Sequence, residues 1–547
     1  MNTFNDYLKE IGEIGFVEEA LPSLAYTSGI PHAHPNEIIL FETGEFGQVL
    51  SLAEEKVEIL VFAKYPIRVG TRVVRTNKIL EIPVGADLIG EIIDPFCNPV
   101  EKFKEHKKPQ ELRAVDIAAP GITERLKIDQ SFETGVTIVD MLVPLGRGQR
   151  ELILGDRKTG KTNFLLQTLL HQARLGTLCI YAAIGKKKSD VKKVEEYFLK
   201  YKVMEKMIIM VAGAEDPTSL IYITPYTAMS LAEYFKDQGH NVLLVLDDLT
   251  THAKFYREIS LLGKKFPGRN AYPADIFYTH AKLLERAGNF KIPVRKQGEA
   301  SPQAGEASIT CLPVVETIQG DITGYIQTNI MSMTDGHIYF DTDLFTKGRR
   351  PAVNPFLSVT RVGRQTQSDL ERTITRELIS FLTLREKIEN FAHFGAEVNA
   401  SIKEVLLTGE KVIAFFDQNS QQVISGNIQT FVFTMVWFGI WRNATIPEMN
   451  TQTAVLFKAY ETNENFRKLV EDYVAKSDSL NTLLGNVRDN LLLIVNMVGL
   501  KLPPNPMVEA LLQRQANPLP ATPTGLNAAT LTPPPAATTR NQQGDKK

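Results

Sequence analysis

Short runs of alternating apolar and polar residues fill the chain from about residue 36 to residue 105: NEIILFE, GQVLSLAEE, KVEILVFA, TRVVRT, ILEIPVG and LIGEIIDPF. Each is bounded by Gly, Pro, Asn or Asp, as expected of strands that keep one face dry. They predict a small antiparallel barrel or sandwich over 36–105, with no site of its own, after a short extension over 1–35. The polar stretch FKEHKKPQELR then reads as a linker.

Beyond it the pattern changes. Continuous apolar runs (ELILG, TLCIYAAIG, MIIMVAG, NVLLVLDDLT) alternate with longer helical patterns. Runs without alternation belong to strands buried on both faces, so residues 106–365 predict a mostly parallel sheet covered by helices. The stretches ITCLPVVET and HIYFD predict antiparallel strands near the end of this unit. From 366 to 512 the period is helical, with Leu370, Ile374, Leu378 and Leu382 near helical spacing, and predicts a bundle. Residues 513–547 are rich in Pro, Thr and Ala, nearly free of large apolar side chains, and predict a disordered tail. The fold class is thus multidomain: an N-terminal β-barrel, a central α/β domain and a C-terminal helical bundle; the G-x4-G-K-T of residues 155–162 makes the expected central part a P-loop (RecA-like) nucleotide-binding domain.

Composition narrows the function classes. Of 547 residues, 43% are apolar and 23% charged, with a formal net charge of −2. That balance does not favour a nucleic-acid partner. Three scattered cysteines make neither a disulfide framework nor a zinc site, and Cys179 falls in an expected buried strand as inert core. The N-terminus has no signal-peptide core, and the most apolar late stretches are too short to cross a bilayer. The expected location is cytoplasmic, or peripheral on the cytoplasmic face of a membrane through partner subunits.

The chemistry lies in ELILGDRKTGKT, residues 151–162. An apolar strand runs into Gly155, Asp156, Arg157, Lys158, Thr159, Gly160, Lys161 and Thr162, a complete G-x4-G-K-T, and NFLLQTLLHQA continues as a helix. Backbone N–H groups of such a loop, with the helix N-terminus behind it, cradle a polyphosphate. Lys161 would reach the outer phosphates and Thr162 would offer its hydroxyl to Mg2+. Asp247 ends five apolar residues in LLVLDDLT, where an acid that orients Mg2+ through water is expected. These residues argue for binding of ATP or ADP with Mg2+, not for turnover. Hydrolysis needs a group that aligns water, and the end of the neighbouring strand supplies Lys186, which cannot act as an anion at neutral pH. Lys186 would instead neutralise phosphate charge.

At this point the chain resembles the alpha subunit of F-type ATP synthase over roughly residues 36–500. The marks are PVGADLIGEIIDPFCNPV, TGVTIVDMLVPLGRGQRELILGDRKTGKT, CIYAAIGKKKS, LDDLTTHAKFYREISLL, PGRNAYPADIFYTHAKLLERAG, PVVETIQGDITGYIQTN, FTKGRRPAVNPFLSVTRVG and FAHFG. The resemblance implies an alternating α3β3 hexamer with beta-type catalytic subunits around a gamma-type central stalk, with peripheral or machine-specific subunits as further partners. It is to alpha rather than beta because GDRKTGKT is similar to alpha's GDRQTGKT, with Lys158 where Gln is usual. At Lys186 the family's beta chains carry Glu and its alpha chains Gln, and this chain departs from both. Arg361, in SVTRVG, matches the arginine that alpha subunits extend into the neighbouring beta site. A planar, permanently charged fork suits developing γ-phosphate charge. Arg350 and Pro351 match a motif near adenine. Gln418 matches the first Gln of an adenine-side Q-G-Q, with Ser420 in the second's place. The resemblance implies a nucleotide-binding subunit that does not itself hydrolyse. The alternatives are hydrolysis by this chain, with water approached by Glu133, Asp248 or Glu316, and a structural part of a specialised F1-like motor such as a gliding machinery.

Overall fold

Strand alternation closes early in the chain. In the computed structural model, which describes residues 3–100, 109–292, 305–393 and 400–516, six antiparallel strands form a closed barrel. Their order around it is Gly15–Ala20, Leu24–Ser28, Val57–Val61, Phe46–Leu52, Glu37–Phe41 and Arg72–Ile79. Val17, Ile39, Phe41, Val49, Ile59, Val61 and Val73 fill its interior, every second residue along each strand pointing inward. Two barrel strands and a helix, Phe4–Ile11, therefore lie in the stretch expected as a separate extension. The first strand, GFVEEA, buries only Gly15 and Val17 fully, so its apolar signal is too thin to read alone. At the other boundary, Ile92–Ile93 leaves the barrel and pairs with the central sheet.

The central sheet has nine strands. From one edge it runs Val359–Thr360, Gly336–Phe340, Glu151–Gly155, Glu306–Glu316, Val242–Asp247, Leu178–Lys186, Met207–Gly213 and Ile92–Ile93, with Gly288–Lys291 beside Glu306–Glu316. Helices Lys161–Arg174 and Thr218–Asp237 are among those that carry the chain between parallel strands. The sequence expectation was wrong at two strands. Glu306–Glu316 and Gly336–Phe340 both run parallel to Glu151–Gly155. Helices Leu249–Leu262 and Ile276–Leu284 before the first, and Tyr325–Met333 before the second, return the chain to the same end of the sheet. Only the short Gly288–Lys291 and Val359–Thr360 are antiparallel to their neighbours.

Helices from Asp369–His393 to Pro506–Ala516 make the C-terminal part. Leu370, Ile374, Leu378 and Leu382 are all buried, in the same apolar core as Phe431, Val432 and Met435. The last helix ends at Ala516, beyond the boundary expected at 512, while 517–547, with most of the expected tail, lie outside the described residues. The same holds for much of the expected linker and part of FAHFG. Among the described residues no helix is long and apolar enough to cross a membrane.

Candidate functional site

The phosphate loop leaves the sheet at Gly155, whose φ is +154°, and a Cβ there would stand 2.5 Å from the Phe340 carbonyl oxygen. Only glycine lets the strand turn outward so close to its neighbour. Helix Lys161–Arg174 starts with Gly160 as its cap, so its first N–H groups face the loop. Thr162 sits exposed on that first turn. Lys161 is buried; its Nζ donates to the carbonyls of Gly155 and Asp156 at 2.6 and 2.5 Å. Burial pulls its pKa down, against the nearby charges of Glu316, Asp248 and Asp247.

The loop is tied down at its first acid. Asp156 accepts hydrogen bonds from the Thr317 hydroxyl, the Gly320 N–H (3.0 Å) and the Thr342 hydroxyl (3.0 Å). Burial would raise its pKa, but these donors outweigh burial and hold the carboxyl below the ordinary range. Thr159 closes the turn by donating to the Asp156 carbonyl at 2.8 Å. Arg157 reaches outward to Glu316 at 2.7 Å, and Lys158 is exposed with φ +64°.

Asp247 stands at the end of Val242–Asp247, as the apolar run predicts, but its company differs from the expectation. Its Oδ1 lies 2.8 Å from Lys186 Nζ, and its Oδ2 accepts from the Tyr181 hydroxyl at 2.7 Å. A β-bulge makes this possible. Register slips between Ile184 and Lys186, at Gly185 with φ +65°. Without it, strand alternation would put residues 181 and 186 on opposite faces; with it, Lys186 joins Tyr181 and Ala183 on the face of Asp247. Burial works against the Lys186 charge, but Asp247 and Asp248 outweigh it and hold the ammonium above the usual lysine range.

A divalent cation held by Asp247 through water would sit beside that ammonium, and like charges so close repel. No cluster of three or more His, Cys, Asp or Glu suited to a metal occurs among the described residues. An Mg2+ ion oriented by Asp247 would have to share that carboxylate with the Lys186 ammonium. Asp248 points elsewhere and caps helix Leu249–Leu262, accepting from Thr250 and Thr251 N–H. Glu133 binds His171 and the Gly426 N–H on the bundle side. Glu316 flanks the loop and holds Arg157, and Asp248 is close enough for its charge to act on Lys161.

Thr159, Gly160, Asn163, Arg350, Pro351 and residues 417–420 line one open cleft of about 470 Å3, a size that suits a small ligand. The two halves of the expected site are therefore adjacent. Their polar side chains are partly committed, however. Arg350 lies over the Phe345 ring at 3.6 Å and donates to the Phe345 and Arg349 carbonyls. Gln418 is buried: its Oε1 accepts from the Thr137 N–H and hydroxyl, and its Nε2 donates to the Gly135 and Gln422 carbonyls at 2.8 Å. Its amide braces the cleft wall rather than facing the cavity. Tyr181 and Asn163 escaped the sequence reading; a lone tyrosine in an apolar strand was the one available signal for the first.

Residues 135–360 match the ATP synthase alpha/beta family, nucleotide-binding domain. Likeness extends well beyond that domain. The chain is 36% identical over 455 residues to ATP synthase subunit alpha of Lactobacillus acidophilus, covering 83% of this chain and 88% of that protein. It is 37% identical over 449 residues to ATP synthase subunit alpha of Dictyoglomus thermophilum, covering 81% and 85%. The same-named protein of Lacticaseibacillus casei is 36% identical over 456 residues, 83% and 87% of the two chains. The chain belongs to the ATP synthase alpha-subunit family. It is an alpha-type nucleotide-binding subunit, built as barrel, α/β domain and helical part.

Within this alpha-type chain Arg361 lies far from the phosphate loop. Thr360 is registered on Gly336, and Gly336 on Glu151, at the start of the strand whose far end is Gly155. Four residue steps make about 13 Å before the loop itself is added. Arg361 is exposed, with its N–H donating to the Asp335 carbonyl at 3.0 Å. Its charge opposes the effect of burial on Glu151, whose carboxyl is nonetheless pushed well above the usual range. Phe356, Leu357 and Val359 leave an apolar ridge exposed beside it.

Proposed function

We propose that this chain is a non-hydrolysing alpha-type subunit of a rotary F1 or F1-like ATPase. It holds ATP or ADP in its own cleft and lends Arg361 to the catalytic site of an adjacent beta-type subunit. One observation carries the non-hydrolysing part: the side chain over Asp247 is the ammonium of Lys186, where a water-aligning carboxylate would be needed. A cation cannot take a proton from water, and the remaining acid at the loop, Glu316, is paired with Arg157.

The position of Arg361 supports the second part. At the opposite end of the strand from Gly155, it cannot reach phosphates in its own cleft, yet it projects beside an exposed apolar ridge of the kind a neighbouring chain covers. A guanidinium supplied across an interface binds transition-state charge without adding a group to this chain's own site. The partners in this reading are beta-type subunits alternating with this chain in a hexamer around a gamma-type stalk. Membrane attachment would then come through those partners.

The test is ATP turnover by three preparations: the isolated chain, the assembled complex, and the complex carrying Arg361→Ala. Expected are no turnover by the first, turnover by the second and near-complete loss in the third. Turnover by the isolated chain that survives Lys186→Gln would overturn the holding role. Full activity of the substituted complex would overturn the role of Arg361.

A further inference from the structure

The Lys186–Asp247 pair bears on what kind of nucleotide the cleft accepts. A G-x4-G-K-T loop ordinarily brings one lysine to the phosphates and leaves the remaining charge to a hydrated divalent cation oriented by the strand acid. Here the strand acid is already neutralised from within the chain. Lys186 Nζ is 2.8 Å from Asp247 Oδ1, and Tyr181 donates to the other oxygen at 2.7 Å. The backbone fixes this arrangement. The bulge at Gly185 turns Lys186 onto the Asp247 face, and the Lys186 carbonyl is held by the Ala214 N–H at 2.9 Å.

The other charges around the phosphate loop point the same way. Lys161 contributes a second ammonium, seated on the loop carbonyls of Gly155 and Asp156. Glu316 is balanced by Arg157, and Asp248 is occupied in capping its helix. Lys186 thus places an ammonium on the strand acid, in addition to the Lys161 ammonium of the loop. A lysine acts on phosphate oxygens as a point charge and needs no coordination shell.

We propose that the cleft holds a nucleoside di- or triphosphate free of divalent cation, the Lys186 ammonium serving as a tethered replacement for the metal at Asp247. This rests on the nucleotide-holding reading above and fails separately from it. The test is titration of the full-length chain with N-methylanthraniloyl-ADP and -ATP, once in excess MgCl2 and once in EDTA. For the unaltered chain the two dissociation constants should agree within about threefold, and Lys186→Gln should bind at least about tenfold more weakly in EDTA than in MgCl2. Lys186→Arg, which keeps the charge, should restore indifference to the metal. Thermal melting of each variant establishes that it is folded.

Binding by the unaltered chain that weakens in EDTA as much as that of Lys186→Gln overturns the inference and leaves the nucleotide-holding role intact. Metal indifference that persists in Lys186→Gln also overturns it, because the lysine is then not the replacement. Absence of binding in both media by the unaltered, folded chain removes the nucleotide-holding role and this inference with it.

Discussion

The two ends of the strand Glu151–Gly155 make an instructive pair. At its C-terminal end stand the loop, Lys161, Lys186 and Asp247, where Lys161, Lys186, Asp247, Arg157 and Glu316 all have partners from the same chain. At its N-terminal end Arg361 and a ridge of Phe356, Leu357 and Val359 stand open to solvent. Partners within the chain suit a site that retains a ligand. An exposed guanidinium beside uncovered apolar surface suits a group whose partner is another molecule. One strand thus separates the proposed holding end from the proposed lending end by about 13 Å, four residue steps.

The sharpest way to break this contrast is Arg361→Ala. Turnover of the assembled complex should fall by about three orders of magnitude, while nucleotide affinity of the isolated chain stays within about twofold. An equal loss in both measurements would mean that the two ends are not separate.

Acid should weaken the support behind the holding end. His252, on the helix that Asp248 caps, is fully buried; its Nε2 donates to the Tyr222 carbonyl and its Nδ1 accepts from His280. Burial pushes its pKa down to about 4. A depressed pKa contributes stability that is present above the unfolded value near 6.5 and lost as pH falls through the folded value. Stability should therefore drop as pH falls from roughly 6.5 to 4, His252 contributing about 3 kcal/mol and the neighbouring His280, also held low by burial, adding to it; His252→Gln should remove the His252 share in denaturant titrations.

Gln418→Ala asks whether that residue is brace or ligand contact. Its four hydrogen bonds leave buried groups unpaired when the amide is removed, so a loss of about 2 kcal/mol in unfolding free energy is expected. Preference for adenine over guanine nucleotides should change little; a large change in preference at unaltered stability would reverse the assignment. The smallest effect expected is that of Lys161→Gln: nucleotide affinity should fall by about tenfold, with Lys186 retaining part of the charge, and equilibrium titration measures it.

Much of this was legible in the residues. The G-x4-G-K-T between an apolar strand and a helix needs only local order, and Asp247 was marked by the apolar run before it. Leu370, Ile374, Leu378 and Leu382 followed from period alone. What stayed hidden depends on pairing across the chain. Whether Glu306–Glu316 runs parallel or antiparallel is decided by the helices that precede it, not by its own composition. The barrel's first strand shows too few buried residues to announce itself. Lys186 was legible as a cation at the end of its strand, but its hold on Asp247 depends on a one-residue slip at Gly185 that no apolar count reveals. Gln418 looked like a ligand contact because its partners at 135 and 137 are more than 280 residues away.

That residue has a mechanical meaning as well. Its side chain grips residues 135 and 137 and the carbonyl of Gln422, while its own N–H holds the Arg350 carbonyl at 2.7 Å. The phosphate loop is anchored elsewhere, through Asp156 to residues 317, 320 and 342. The helix behind that loop, however, is joined to the same segment: Gln167 Nε2 donates to the Asn419 and Gln422 carbonyls at 3.0 and 2.7 Å. A displacement of residues 418–422 would therefore pull on both walls of the cleft at once, the Arg350 wall through the Gln418 N–H and the phosphate side through Gln167.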